Sequence, residues 1–404
     1  MVLLKDTNQL VIQKFFQMIK KTNAAAVNFS SVIHQFFKML ILKHLRFTLL
    51  IITILITYTI LIFHPNLSKH VYIQNPDIVD SKELLRTCIN LAVRAGYFIV
   101  RIKDLNNFNQ STIVKGKTKE GADEKMTLAD LISHLIITEG LKSSFPLLKL
   151  VSEEHDDSNE SLNHLLDRTS LSDINQKIVN NDTNYYQNFD TNDDIDDDTD
   201  DEKLDSVKGF VNLTDAVAWI DPLDATQEFT ENLFNYVTVM ICLAVEGRPV
   251  IGVVYKPFSE QLYWSYIDSE GRGHLSWHTP EYDGHDRADP TFIISRSHSG
   301  NVLAKLNKIF GKRYRHVLAG GAGYKTLAII DREADAYIHV TAIKKWDICA
   351  PDALITASGG KMTTLKGQII NYSSANQVLN RDGLLVTGSN VGGVIIHNKL
   401  LEKF

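Results

Sequence analysis

The sequence predicts an α/β protein, a layered α+β sandwich of strands and helices preceded by one membrane-crossing helix. Three features carry that expectation. From residue 80 onward, apolar residues recur at helical and at strand spacing in turn, which points to mixed layers and not to segregated all-α or all-β domains. Phe47 to Phe63 is an unbroken run of seventeen residues without charge. The 404 residues, 44% hydrophobic and 22% charged, supply a sizeable core and exclude a fibrous or wholly disordered chain.

The apolar run is interrupted only by threonines and Tyr58. Its length is at the lower end for a spanning helix, about 17–25 residues, and it lacks the polar face of a soluble helix. Lys5, Lys14, Lys20, Lys21, Lys38, Lys43 and Arg46 precede it against Asp6 alone, whereas Lys69 and then Asp77 follow. The positive-inside rule then makes residues 1–46 a basic cytosolic tail and 47–63 a signal-anchor, with everything past His64 in a lumen or outside the cell. Sequons at Asn66, Asn109, Asn159, Asn181, Asn212 and Asn371 fall on that far side, where glycosylation occurs. Residues 64–79, with Pro65 and Pro76, read as a stalk, and residues 80–404 as the folded body.

Leu84, Leu85, Cys88, Leu91, Ala92, Ala95 and Ile99 predict an amphipathic helix from about Asp80 to Lys103. A second helix starts at Thr127 as N-cap and carries Asp130 among Leu128, Leu131, Ile132 and Leu135. Leu148 to Ser152 reads as a strand delivering Glu153 and Glu154. Residues 156–208 are poor in apolar residues and read as a disordered acidic insertion. Within it, residues 182–205 hold eleven Asp or Glu against Lys203, so the remaining chain is net positive although the whole sums to −6. Such a body suits a small anionic substrate and lacks the concentrated basic face of a nucleic-acid binder. Strands are then expected at Ala216–Ile220, Val237–Val245, Val250–Tyr255, Tyr263–Ile267, Thr291–Ser295 and Ala336–Val340. Helices are expected at 301–310, 321–332 and 347–358. Cys88, Cys242 and Cys349 lie far apart, which argues against a disulfide framework or a multi-cysteine zinc site.

The chemistry concentrates in carboxylates. In Trp219-Ile-Asp-Pro-Leu-Asp-Ala-Thr226, a strand delivers Asp221, Pro222 forces a turn, and a helix begins at Ala225 or Thr226. Asp221, Asp224 and the Leu223 carbonyl can then converge as hard oxygen ligands of the kind Mg2+ takes. Asp347 opens another helix, and Asp130 lies in an apolar setting where a carboxylate needs a cation or hydrogen bonds. Gly320-Gly-Ala-Gly-Tyr-Lys-Thr326 superficially suggests a phosphate loop, but Tyr324 separates Gly323 from Lys325. Neither a serine elbow nor a cysteine phosphatase loop is expected to supply a nucleophile.

The Asp221–Thr226 and Trp346–Gly360 stretches resemble the two signature motifs of the inositol monophosphatase-like family of metal-dependent, lithium-sensitive phosphatases. The resemblance extends over most of residues 80–400, with Thr127–Asp130 and Glu153-Glu154 upstream in order. It implies a fold of the inositol monophosphatase/fructose-1,6-bisphosphatase type. Lys115–Thr127, Ser295–Ser299, Gly320–Lys325 and Ile338–Ala350 place the chain nearest a Golgi branch, as does Ala225 where much of the family has Gly or Ser. That branch implies a single-pass type II Golgi membrane protein hydrolysing the 3′-phosphate of a nucleotide bisphosphate, and it leaves room for a homodimer.

The resemblance further implies two or more Mg2+ ions held by Glu153 (with Glu154 as the alternative), Asp221, Leu223, Asp224 and Asp347. Asp130 and Thr226 would orient and deprotonate the attacking water. Ser295, His298, Gly321 and Lys325 would lie at the nucleotide end, Lys325 as a point charge to the 5′-phosphate. An inositol phosphate is the rival substrate. A non-catalytic lumenal scaffold binding calcium through residues 182–205 is the rival of another class.

Overall fold

The computed structural model describes residues 77–103, 112–117, 123–154, 203–277, 289–297 and 299–404. The basic tail, the apolar run 47–63, the stalk up to residue 76, residues 155–202 of the insertion, His298 and four of the sequons (Asn66, Asn109, Asn159, Asn181) lie outside the described residues. Among the described residues no helix is long and apolar enough to cross a membrane.

Strand β1 (Ile78–Asp80) leads into α1 (Ser81–Lys103). Leu84, Leu85, Cys88, Ala92, Ala95 and Ile99 form its buried stripe, the three- and four-residue spacing that puts one helix face on a core. A hairpin of β2 (Thr112–Lys117) and β3 (Asp123–Thr127) follows. Thr127 then caps α2 (Leu128–Ser144): its hydroxyl accepts from the Ala129 N–H, while the Asp130 carboxylate accepts from the Thr127 N–H in a capping box. The chain continues into β4 (Lys149–Ser152).

On return from the insertion, residues 203–205 make a short helical turn, and β5 (Phe210–Asn212) pairs antiparallel with β1. Leu204 and Val207 are buried. The expected disordered segment therefore runs too far: these two side chains have a place in the core, which the average composition of 156–208 conceals.

Strand β6 (Ala216–Asp224) is buried along its whole length. It passes the expected end at Ile220, with a register shift against its neighbour between Asp221 and Asp224. Pro222, which has no N–H for the ladder, sits in that irregularity and does not end the strand. After α3 (Thr226–Thr230) come β7 (Thr238–Val245), β8 (Arg248–Lys256), β9 (Gln261–Ile267) and β10 (Gly273–Leu275). They build an antiparallel meander ordered β10-β9-β8-β7-β6, completed by β4 parallel to β6.

The second half contains β11 (Thr291–Ser295), α4 (Val302–Phe310), β12 (Arg315–Ala319), α5 (Ala322–Ile330), β13 (Ala336–His339), β14 (Ile343–Lys344), α6 (Trp346–Ala357), β15 (Lys361–Thr363), β16 (Leu379–Asn380), β17 (Leu384–Thr387) and α7 (Val391–Leu401). Its five-stranded sheet runs β12-β11-β13-β17-β15. Period-two alternation divides its faces. Ile293, Tyr337 and Val386 enter a core shared with α5, α6 and the first sheet. Phe292, Ile294, Ala336, Ile338 and Leu385 pack with Val302, Leu306 and Leu400 of α4 and α7. With α1 and α2 on the outer face of the first sheet, the body is a helix–sheet–helix–sheet–helix sandwich.

One expectation about the cysteines is corrected. Cys242 on β7 and Cys349 on α6 form a disulfide across 107 residues, with Cα atoms 5.6 Å apart. Separation in sequence does not decide pairing once α6 packs on the middle of the sheet. The packing is close: a Cβ on Gly252 of β8 would lie 2.7 Å from the Ala350 carbonyl oxygen.

Candidate active site

Parallel pairing of β4 with β6 sets Ser152 beside Ile220. The Glu153 N–H donates to the Ile220 carbonyl at 3.0 Å, so Glu153 leaves β4 next to Asp221. Helix α6 packs across β6, β7 and β8 and carries Asp347 in its first turn. The Lys344 N–H donates to Asp347 Oδ2 at 3.3 Å. One oxygen each of Glu153, Asp221 and Asp347 lies within 4.8 Å of the other two.

Burial pushes Asp221 and Asp347 well above the usual carboxylate range, and the charges of Glu153 and Asp224 push both the same way. Three crowded acids, Asp221 buried and Glu153 and Asp347 half-buried, are unfavourable unless a cation joins them. Hard oxygen donors on three rigid elements match what Mg2+ requires. The donor set therefore fits a divalent cation.

Asp224 is placed differently. It is not one of the three gathered acids: its Oδ1 accepts from the Ala322 N–H at 3.2 Å, and its Oδ2 from the Gly323 N–H at 2.9 Å and Thr238 Oγ1 at 3.1 Å. Burial still raises its pKa, against Lys325 and these donors. The glycines make this possible. A Cβ on Gly323 would lie 2.4 Å from Thr238 Oγ1, and one on Gly321, whose φ is +63°, would lie 2.8 Å from Asp224 Oδ2. The amino end of α5 thus serves an internal carboxylate, which accounts for the glycine-rich stretch without a phosphate loop.

The Thr226 hydroxyl lies 2.9 Å from Asp130 Oδ1 and 3.0 Å from the Leu223 carbonyl. Asp130 Oδ2 accepts from the Thr127 N–H at 2.7 Å and the Thr127 hydroxyl at 2.5 Å. Burial lifts Asp130 to about 6; the Thr127 bonds and the Lys115 charge oppose this. A hydroxyl donating to Asp130 keeps its acceptor lone pairs, so the pair can orient a water and relay its proton.

Lys325 is buried on α5. It is 3% exposed, its ammonium donates to the Gly321 carbonyl and lies 5.1 Å from the Tyr337 ring centroid. Burial lowers its pKa to about 8 against the pull of Asp224, Glu228 and Asp347. It is a counter-charge to Asp224, Glu228 and Asp347. Ser295 is buried at the carboxyl end of β11. Its neighbour Arg296 pairs with Glu231 at 2.7 Å and Glu228 at 3.4 Å.

Lys115 and Thr238 had no place among the expected site residues, and Glu154 only as an alternative. Lys115 Nζ lies 2.5 Å from Glu154 Oε1 and 3.3 Å from Glu153 Oε1. Burial first, then Asp130 and Glu153, raises Glu154 to about 8. The one audible signal for Lys115 is the lysine-rich Lys115-Gly-Lys-Thr-Lys119; which of its lysines turns inward depends on strand register. Cys88 and Arg94 do stand at the spacing of a cysteine phosphatase loop, but both lie within α1, and burial pushes the Cys88 thiol up to about 12. That thiol is no nucleophile.

The model of the family described as "Inositol monophosphatase family" matches residues 80–402. Inositol monophosphatase 3 of Xenopus tropicalis is 39% identical over 333 residues, covering 81% of this chain and 83% of that protein. The Golgi-resident adenosine 3′,5′-bisphosphate 3′-phosphatase of Bos taurus is 39% identical over 315 residues, covering 76% and 77%. The fold is also that of the extragenic suppressor protein suhB from Bartonella henselae, with a TM-score of 0.53 at 15% identity over 79% of this chain and 98% of that one. The chain belongs to the inositol monophosphatase family and is a metal-dependent hydrolase of phosphate monoesters.

Proposed function

We propose that this chain hydrolyses the 3′-phosphate of 3′-phosphoadenosine 5′-phosphate to AMP and inorganic phosphate, using Mg2+, in the lumen of the Golgi. The observation that carries the reaction is the gathering of Glu153, Asp221 and Asp347 beside the Asp130–Thr226 pair. The substrate is supported by the Golgi-resident relative and by the Gly320–Lys325 stretch, whose backbone meets Asp224.

Glu153, Asp221 and Asp347 would hold the first ion, with the Leu223 carbonyl available to it. Asp224 would join a second ion only through lone pairs left by its three protein donors. Bound Mg2+ would neutralise the phosphoryl oxygens and the leaving 3′-oxygen and lower the pKa of the attacking water. Thr226 accepts a hydrogen bond from that water while donating to Asp130, which takes up the proton. The water oxygen bonds to phosphorus in line as the P–O3′ bond breaks, the leaving 3′-oxygen takes a proton from solvent water and Asp130 returns its proton to solvent; no side chain becomes phosphorylated.

The lumenal placement rests on the charge-flanked apolar run 47–63, read as a single-pass type II anchor, and on the sequons at Asn212 and Asn371, both exposed. The Cys242–Cys349 disulfide suits the same compartment. A second reading, an inositol phosphate as substrate, is favoured by the Xenopus tropicalis relative called inositol monophosphatase 3. Phosphate release by the full chain from both substrates, with Mg2+ and with added Li+, separates them. The proposal expects the larger kcat/KM on the nucleotide and inhibition by Li+; a larger kcat/KM on inositol 1-phosphate selects the rival.

A further inference from the structure

Lys115 reaches the cleft from an irregular strand. Along the β2–β3 hairpin Val114 faces Lys125 and Gly116 faces Glu124, so Lys115 is the extra residue of a β-bulge. A bulge disrupts the ladder locally and re-aims a side chain, and such breaks recur beside active sites. Here the re-aimed side chain places its ammonium against both Glu154 and Glu153. Glu154 is 4% exposed at its side chain and Lys115 26%, so this pair is shielded more than a surface salt bridge. The hairpin's other strand is moored as well, through Lys125 Nζ to Thr230 Oγ1 at 3.0 Å, and it runs into the Thr127 cap that holds Asp130.

Glu153 is also one of the three carboxylates gathered for a cation. Glu153 serves both, so a divalent ion held by that carboxylate and the Lys115 ammonium would repel each other at a few ångströms. We propose that Lys115 is a positioning residue that acts as the resident counter-charge of the cleft: it competes with the divalent ion for Glu153, and ion binding breaks its contact there. This rests on the metal-centre reading above. The bulge then has a purpose, because a regular strand would alternate Lys115 without regard to the carboxylates. A purely structural role, neutralising the buried Glu154, predicts something different: loss of stability without any change in affinity for the ion.

The test is Mn2+ binding to the full chain, read from the electron paramagnetic resonance signal of free Mn2+. Lys115→Met should bind Mn2+ about five- to tenfold more tightly than wild type, the scale of a partly shielded charge pair. Lys115→Arg, which keeps the charge, should stay within about twofold of wild type on the same scale. Should Lys115→Met fold poorly, acetic anhydride labelling of wild type gives an independent readout: Lys115 should be modified faster with Mn2+ than without. Unchanged or weaker binding by a folded Lys115→Met, or labelling that is unchanged or slowed by Mn2+, overturns the inference and leaves the metal centre standing. Failure of the wild type to bind Mn2+ at all removes both.

Discussion

Two kinds of buried polar site in this molecule are built on opposite plans. Toward the C-terminus, His397 meets the Thr363 hydroxyl at 3.1 Å through Nε2 and the Thr387 hydroxyl at 3.0 Å through Nδ1. Asp352 accepts from the Tyr372 hydroxyl at 2.9 Å and from Thr356 at 3.2 Å. Burial drives each toward its neutral form, His397 down to about 4 and Asp352 up to about 7. Each is a single titrating group with partners on both sides. In the cleft, Asp221 and Asp347 are raised by burial and then by the charges of Glu153 and Asp224. There the neighbours worsen the problem. The first kind is complete within the chain, whereas the second is complete only with a cation from outside.

The largest expected effect strikes the incomplete one. Asp221→Asn should lower phosphate release by about three orders of magnitude or more, while raising the thermal midpoint of the metal-free protein, because one of three repelling acids is gone. A lower midpoint would mean the crowding is not unfavourable. Thr226→Ala, which leaves the carboxylates alone, should reduce kcat by about 10²–10³-fold with KM nearly unchanged; a pure KM effect would remove Thr226 from the water-orienting role. Mg2+ at about a hundred times its Kd should stabilise the wild type by about 2.7 kcal/mol and leave Asp347→Asn nearly unmoved in calorimetry. Equal shifts in both proteins would put the ion elsewhere.

The complete kind should respond to pH instead. His397 has a folded-state pKa below its ordinary value, so its contribution is fully present above pH of about 6.5 and is lost as pH falls toward 4. Unfolding free energies of wild type and His397→Gln from urea titrations should converge over that interval by about 1 kcal/mol after allowance for screening. Parallel curves would show that the imidazole does not titrate with folding. The smallest effect concerns Ala225, which sits at φ 70° ahead of α3. Ala225→Gly should stabilise by up to about 1 kcal/mol, and a destabilised variant would contradict the left-handed geometry.

The contrast also governs what could be read from the sequence. Amphipathic spacing marked α1 and α2, and the placement of Thr127, Thr226 and Asp347 at helix starts was legible because capping follows local rules, whereas Asp221 lies inside β6, which runs past the expected end. The β2–β3 hairpin, β12, the β15–β17 pair and α7 were missed, since short or edge strands carry little periodicity and α7 exposes Val391, Val394 and Ile395. The roles of Lys115, Asp224 and Lys325 depend on register and on which donors arrive from residues about a hundred positions away, as the Asp224–Gly323 bond shows. The Cys242–Cys349 bond was hidden for the same reason. Chain-local chemistry was visible, while the partners that complete or fail to complete it were not.

The most direct test of the incomplete cleft is phosphate release from 3′-phosphoadenosine 5′-phosphate by the wild-type chain, first in EDTA and then across a Mg2+ titration, beside Asp347→Asn. The expected result is no release in EDTA, saturable restoration by Mg2+ in the wild type, and no restoration in the variant. Release that persists in EDTA, or a variant that responds to Mg2+ as the wild type does, would contradict the account.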